Sequence, residues 1–178
     1  MPRKIAAKKK ETIASLIARL DEPLIKSRHD AVHALAKEGA RAVQPLIRAL
    51  VKARDPDHRW YAAIALSKIG SAAILPLLAA MACTGDLEFR RYAAAALGEI
   101  GESAVEPIIA ALATDDRELR GFLSRALCRI GEAAVEPLTR HLNDADEIIR
   151  SCAALTLWQM EGTGLPALVE KLAAEKEI

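Results

Sequence analysis

The sequence predicts an all-α fold, a right-handed α-solenoid of stacked antiparallel helix pairs. A unit recurs at 39–69, 70–100, 101–130 and 131–160, so that its length is 31, 31, 30 and 30 residues. A proline recurs with the unit, and each unit carries two stretches of apolar residues at helical spacing. A period of roughly 20 to 50 residues indicates a solenoid, in which each unit buries its apolar face only against its neighbours.

The first part of the chain departs from this unit. Residues 1–10 hold five lysines and arginines and no acid, so we expect a basic, disordered tail. The whole chain carries a net charge of +1, which leaves −4 for residues 11–178. Residues 11–38 predict a degenerate first repeat, whose first helix, at 11–20, lacks the glycine and the proline of the unit.

Each full repeat predicts a first helix, a polar break and a second helix, as 101–130 illustrates. Pro107 fits only the first turn of its helix, where the missing N–H has no intrahelical partner. Asp116 is the expected N-cap of the second helix, and Gly131 is expected to end that helix in the left-handed conformation. The equivalent positions hold Pro45, Pro76, Pro137 and Pro166, then Asp55, Asp86 and Asp146, and then Gly70 and Gly101.

An arginine follows each of these aspartates by four residues. The positions are Arg59, Arg90, Arg120 and Arg150, with Arg28 at the corresponding place upstream. An anion-binding ladder is one interpretation of this series. We favour the other, an Asp–Arg pair at i, i+4 that also braces the next repeat, because a residue found in every unit is more typical of architecture than of a site.

The last segment, 161–178, contains only a first helix and is interpreted as a half-repeat cap. Trp158 departs from the small residues at equivalent positions and is expected to fill space beneath this cap. No linker divides the chain, so we expect one solenoid domain over 11–178.

The motifs GESAVEPII, DRELR and ALCRIG follow the patterns G-x-x-A-V-x-P-[LI]-[ILT], D-x-x-[FILH]-R and A-L-x-x-I-G. These patterns resemble the HEAT-like repeat of the phycobilin-lyase type, from about residue 11 to the end. The resemblance implies the helix-pair solenoid. It leaves the function open, because similar repeats occur in bilin lyases, protein-binding scaffolds, a di-iron hydroxylase, a DNA glycosylase group and consensus-designed binders.

Composition narrows the class of protein further. The chain is 52% hydrophobic but only 3% aromatic, which indicates a closely packed, alanine-rich helical core. Three cysteines show no paired spacing, and no apolar run has the length of a signal or membrane segment. We therefore expect a cytoplasmic protein without disulfides and without membrane association.

The second helices are expected to line the concave side of the stack, where four columns of equivalent residues should face outward. Two adjacent columns hold four of the six aromatic residues of the chain, and basic residues flank them. Tryptophan, tyrosine and arginine are enriched at interaction hot spots. The predicted partner-binding residues are Trp60, Tyr61, Arg91, Tyr92, Phe122, Arg125 and Arg129. An alternative is that the column of Tyr61, Tyr92 and Phe122 packs between successive helices.

The four columns hold five basic residues against two acids, so the predicted groove has a net charge of +3. Such a groove suits an acidic protein or peptide segment with apolar anchors, and we predict a non-enzymatic binding scaffold. One alternative is an accessory subunit of a bilin lyase-type activity, which the resemblance suggests. Another, less favoured, is nucleic-acid binding through the basic tail and the groove.

No catalytic, cofactor or metal site is predicted. His29 and His33 share one helical face beside Asp30, but this pattern is weak evidence for a metal site. The repeated His-Glu dipeptides of the hydroxylase relatives are absent from the sequence. No serine–histidine–aspartate arrangement, phosphate loop or pair of catalytic carboxylates is recognisable.

Overall fold

A computed structural model describes residues 11–174, so the predicted basic tail at 1–10 lies outside the described residues. This part of the chain forms α-helices joined by short 3₁₀ turns and tight links, and it contains no strand. The helices are α1 (Ile13–Ala18), α2 (Ile25–Glu38), α3 (Ala40–Lys52), α4 (Pro56–Ile69), α5 (Ile74–Cys83), α6 (Leu87–Ile100), α7 (Val105–Ala111), α8 (Arg117–Ile130), α9 (Val135–Arg140), α10 (Glu147–Gln159) and α11 (Gly164–Ala174).

These helices form a stack of pairs, which confirms the predicted all-α solenoid. Odd-numbered helices are the first members of the pairs and even-numbered helices the second. Each second helix packs on the first helix of its own pair and on the second helices of neighbouring pairs. Alanines at 62, 65, 93, 96 and 126 are buried in the second helices, and their small side chains let neighbouring helices approach closely.

Aspartates begin the second helices as predicted. The carboxylates of Asp55, Asp86, Asp116 and Asp146 accept hydrogen bonds from backbone N–H groups of the first turn. The N–H of Phe89 is the main cause of the lowered pKa of Asp86. Arg90 is the main cause of the lowered pKa of Asp116, and the N–H of Leu119 acts in the same direction. The caps are therefore strongest in the ionised form.

Glycines end the second helices, but not in the predicted left-handed helical conformation. Gly70, Gly101 and Gly131 have φ of +79°, +83° and +78° with ψ of −141°, −147° and −138°. This combination turns the chain sharply into the next first helix, whereas the left-handed helical region has ψ near +47°. A residue with a Cβ adopts this backbone geometry only under strain.

Proline occupies the first turn of α5, α7, α9 and α11, as predicted, but not of α3. Pro45 is the sixth residue of α3, because that helix starts directly at Ala40, without a separate 3₁₀ turn before it. In the later repeats a 3₁₀ turn such as Gly70–Ala73 precedes the helix and brings the proline close to its start.

Three arginines of the series, Arg28, Arg59 and Arg90, brace the stack as predicted, but through an aspartate of the next repeat. Arg120 and Arg150 donate to backbone carbonyls of their own repeats. Arg59 binds Asp86 at 3.2 Å and Arg90 binds Asp116 at 2.6 Å, so each pair joins one repeat to the next. The same guanidinium groups donate to the carbonyls of Ala53 and Met81 at 2.7 and 3.0 Å. These bonds take the place of the predicted i, i+4 pairs.

One apolar segment, Pro56–Cys83, is long and apolar enough to cross a membrane by length and composition, contrary to the sequence expectation. The chain does not form one continuous helix there. Gly70, with its positive φ, divides the segment into α4 and α5. Many apolar residues of both helices are buried in the core of the stack.

Candidate concave binding surface

The second helices lie side by side and pack against each other more extensively than the first helices do. Closer packing on one side of a stack bends it toward that side, so α2, α4, α6, α8 and α10 line the concave surface. Their outward side chains are therefore the ones that a partner in the concavity would meet.

Three of the four outward columns are exposed or half-exposed, as expected. They contain His29, Trp60, Arg91, Gly121 and Ser151, then His33, Ile64, Ala95, Arg125 and Leu155, and then Lys37, Lys68, Glu99, Arg129 and Gln159. Trp60 retains 48% of its accessible surface. These columns define the candidate site, which we call the concave groove.

The fourth column was expected to face outward, and for its tyrosines this expectation is wrong. Tyr61 and Tyr92 are each only 9% exposed and belong to the hydrophobic core. The Tyr61 ring packs edge-on against His29 of the preceding second helix, with 5.6 Å between ring centroids. Phe122 is half-buried against the core. The column therefore lies largely between successive helices, as in the alternative interpretation.

A depression of about 500 Å³ in the concave groove lies between α4, α6 and α8. Trp60 and Ile64 form one side, and Arg129 and Glu99 form part of the other. Small residues such as Ala95 lie between them. A bulky side chain of a partner can therefore reach the backbone of α6 between two walls.

Arg129 is held across the surface of α6. Its Nε and Nη2 atoms donate to Glu99 Oε1 at 2.9 and 2.6 Å. Its aliphatic chain covers Gly98, where an added Cβ would lie 2.6 Å from Arg129 Cδ. This role of Gly98 was not predicted from the sequence. The signal for this role was the presence of a glycine inside a helix. Glycine there costs about 1 kcal/mol of stability relative to alanine, which indicates a packing reason for it.

A second depression, of about 210 Å³, continues the groove along α6 and α8. The guanidinium of Arg125 lies over the Phe122 ring, 5.3 Å from its centroid. Arg91 also lines this depression and pairs with Glu88 at 2.6 Å. The predicted residues Arg91, Phe122 and Arg125 are thus brought together.

The positive charge of the concave groove is less than the column count suggested. Arg91 and Arg129 are balanced by Glu88 and Glu99. Within residues 11–174, no salt bridge involves Lys68 or Arg125. The positive charge available to a partner is therefore concentrated on Lys37, Lys68 and Arg125.

Leu155 is the last member of the outward column that holds Ile64 and Arg125, and it lies on α10. Leu155 is 57% exposed and Trp158 60%, so Trp158 does not fill space beneath the C-terminal cap as predicted. Trp158 occupies the position equivalent to Gly98 and Cys128, which face the next second helix: Gly98 lies against Arg129 of α8, and Cys128 Sγ lies 4.0 Å from the carbonyl of Thr156 in α10. Leu155 was predicted to lie in an outward column, but not among the partner-binding residues, whereas Trp158 was interpreted as packing beneath the cap.

The cysteines of the second helices are not activated nucleophiles. Burial raises the pKa of the Cys128 thiol and of the Cys152 thiol, which favours the neutral form. Within residues 11–174, no group of three or more histidine, cysteine, aspartate or glutamate side chains is placed to hold a metal ion.

The helix-pair stack and its groove define the chain as an α-solenoid with an open concave groove. The family model for HEAT repeats matches it at residues 13–98, 43–123, 83–158 and 105–177. These matches overlap and together span almost the whole chain. The chain belongs to the HEAT-repeat family.

Solved structures provide further likenesses. An engineered protein is 21% identical, with 92% of this chain and 86% of that chain covered and a TM-score of 0.35. A computationally designed armadillo repeat protein for modular peptide recognition is 19% identical, with coverage of 89% and 91% and a TM-score of 0.34. These values are too low to add to the family assignment. Comparison with curated proteins gives no match.

Proposed function

We propose that the chain is a non-enzymatic scaffold that binds a protein or peptide segment in the concave groove. The observation that carries this proposal is the depression of about 500 Å³ in which exposed Trp60 and half-buried Ile64 lie beside Lys68. Solenoids of stacked repeats present extended concave surfaces of this kind to partners. The chemistry of the groove favours a segment with apolar and acidic side chains.

The apolar and basic side chains of the groove together support a macromolecular partner. Burial of an exposed tryptophan supplies a large apolar contribution, and tryptophan and arginine are common hot-spot residues. Lys68 and Arg125 add orientation, because a carboxylate near them meets a positive charge that no acid in the described part of the chain neutralises. Tyr61 and Tyr92 support this surface from beneath and do not contact the partner in this proposal.

The test is a pull-down from lysate of the source cell with matched variants. The groove variant is Trp60→Ala/Arg125→Glu, and the control is Leu75→Ala/Arg48→Glu, whose residues are exposed on first helices. We expect wild type and control to retain the same protein and the groove variant to lose it. Equal retention by all three proteins would contradict binding in the groove.

Two other functions give different results in this experiment. A bilin lyase-type accessory role predicts a bilin retained by wild type, detected as visible absorbance after co-expression with the pigment. Nucleic-acid binding predicts capture that nuclease removes and that weakens steeply between about 50 and 200 mM salt. A captured protein that survives both nuclease and salt would favour the scaffold.

A further inference from the structure

Three depressions of the concave surface join through shared side chains into one path, which we call the oblique path. The depressions of about 500 and 210 Å³ share Ala95 and Arg129 in their walls. A third depression, of about 460 Å³, shares Phe122 and Arg125 with the second and is also lined by Leu87. Side chains of α4, α6 and α8 line all three, so the path leads from the side of α4 across α6 to the first turn of α8.

Two rows of outward side chains give the length and the crossing point of the oblique path. The rows have four-residue spacing, which keeps each on one helical face, and they are Leu87, Arg91, Ala95 and Glu99 on α6 and Arg117, Gly121, Arg125 and Arg129 on α8. Each row rises about 18 Å, and neighbouring packed helices lie about 8–10 Å apart, so the path is about 20 Å long. It crosses α6 at Ala95, whose side chain is the smallest in its column.

The oblique path has an exposed apolar side chain near each end. Trp60 is 48% exposed and lies with Ile64 in the first depression. Leu87 is 46% exposed and lies with half-buried Phe122 in the third depression. Because burial of apolar surface favours association, a segment that follows the path gains from an apolar side chain at each of these two places.

Positive charge lies between these two apolar places. Five basic side chains and two acids, Glu99 and Glu118, line the three depressions. Among residues 11–174, neither Arg117 nor Arg125 takes part in a salt bridge. Arg125 lines both the second and the third depression, so a carboxylate midway along the path meets a positive charge that no acid of the described residues neutralises.

We propose that the partner segment lies along the oblique path, across α6, and contacts α4, α6 and α8. One bulky apolar residue of the segment packs on Trp60 and Ile64, and a second packs on Leu87 and Phe122. A carboxylate between them pairs with Arg125. This inference rests on the proposed function and adds the position and the direction of the partner in the concave groove.

The experiment measures the affinity of peptides selected from a random sixteen-residue phage library, with the full chain as bait. A peptide of this length spans about 24 Å even as a helix, and so covers the path. Gly121 lines the third depression and has no heavy atom within 4 Å of an added Cβ, so Gly121→Trp fills that depression without a clash. We expect Gly121→Trp to lose the selected peptide. Ala110→Trp, exposed on α7 of the same repeat, is the matched control and should bind as wild type does.

Further variants test the apolar contact and the charge. Leu87→Ala should weaken binding about 10-fold or more. Replacement of the acidic residues of the peptide by their amides should weaken binding to wild type but not to Arg125→Gln, because the paired charge is then already absent. Circular dichroism checks that every variant folds.

The outcomes separate this inference from the proposed function. Undiminished binding by Gly121→Trp or Leu87→Ala would overturn the oblique path and leave peptide binding intact. Loss of the peptide by Ser151→Trp, on α10, would also overturn it, because the partner would then run across the stack. Equal sensitivity of wild type and Arg125→Gln to the amide replacements would exclude the pairing with Arg125. A selection without enrichment would overturn both proposals.

Discussion

At the scale of single residues, two glycines with similar surroundings should respond in opposite ways to alanine. Neither Gly101 nor Gly121 has a heavy atom within 4 Å of an added Cβ, so steric overlap does not separate them. Gly101 has φ of +83°, and alanine there should cost about 1–3 kcal/mol of backbone strain. Gly121 lies inside α8, where alanine should stabilise by up to about 1 kcal/mol.

The free energies of unfolding of Gly101→Ala and Gly121→Ala, measured in urea, test this difference. The tight link after α6 depends on the conformation of Gly101, whereas Gly121 is an exposed helical residue. Destabilisation of both variants by the same amount would show that the positive φ is not the cause.

Single residues also show where prediction from sequence stops. The caps Asp55, Asp86, Asp116 and Asp146 could be predicted because capping is local to one helix turn. The burial of Tyr61 and Tyr92 could not, because it depends on the rotation of each second helix against the one before it. A rotation of one residue, about 100°, moves a side chain from the groove to the helix interface.

At the scale of elements, neighbouring arginines on α6 should differ strongly in their contribution to stability. Arg90 is only 3% exposed and joins Met81 to Asp116 across two repeats. Arg91 is exposed and pairs with Glu88 on the same helix. Arg90→Ala should destabilise by about 1.5–3 kcal/mol, since it removes charge-assisted hydrogen bonds from a buried site.

Arg91→Ala is the matched control for this brace. An exposed ion pair contributes close to nothing to the free energy of unfolding. The denaturation midpoint of Arg91→Ala should therefore stay near that of wild type. Thermal or urea unfolding of the two variants measures the difference. Equal midpoints would mean that the bond between repeats adds no more than a surface pair does.

The turn after α9 should make stability dependent on pH near neutrality. Burial lowers the pKa of His141, but hydrogen bonds with Asp144 and Glu106 outweigh it and raise the pKa above 6.5. A raised folded-state pKa means that the contribution is fully present below pH about 6.5 and is lost as pH rises through the folded pKa. His141→Gln should remove this loss, which urea midpoints at pH 6 and pH 9 would show. An unchanged difference between the two midpoints would contradict it.

At the scale of the whole molecule, the sequence predicted the stack well and the site only in part. Periodic signals that repeat in every unit set the helices and their order. The residues that differ between units carry the site, and their exposure depends on their neighbours in space. Trp60, Arg125 and Arg129 line the groove as expected. The exposure of Trp158 was missed, because a single exceptional residue has no repeated partner with which to compare it.

The stack should also unfold by regions, because its packing joins each repeat mainly to its neighbours. Leu35 in α2 and Leu97 in α6 are both fully buried, and truncation to alanine should cost each site about 2–5 kcal/mol. Leu35→Ala removes packing at the N-terminal end of the stack and should lower amide protection mainly in α1 and α2. Leu97→Ala removes it at the centre, where repeats on both sides depend on α6, and should lower protection along most of the chain. Hydrogen exchange read by mass spectrometry separates these patterns, and the same uniform loss in both variants would show that the solenoid unfolds as one cooperative unit.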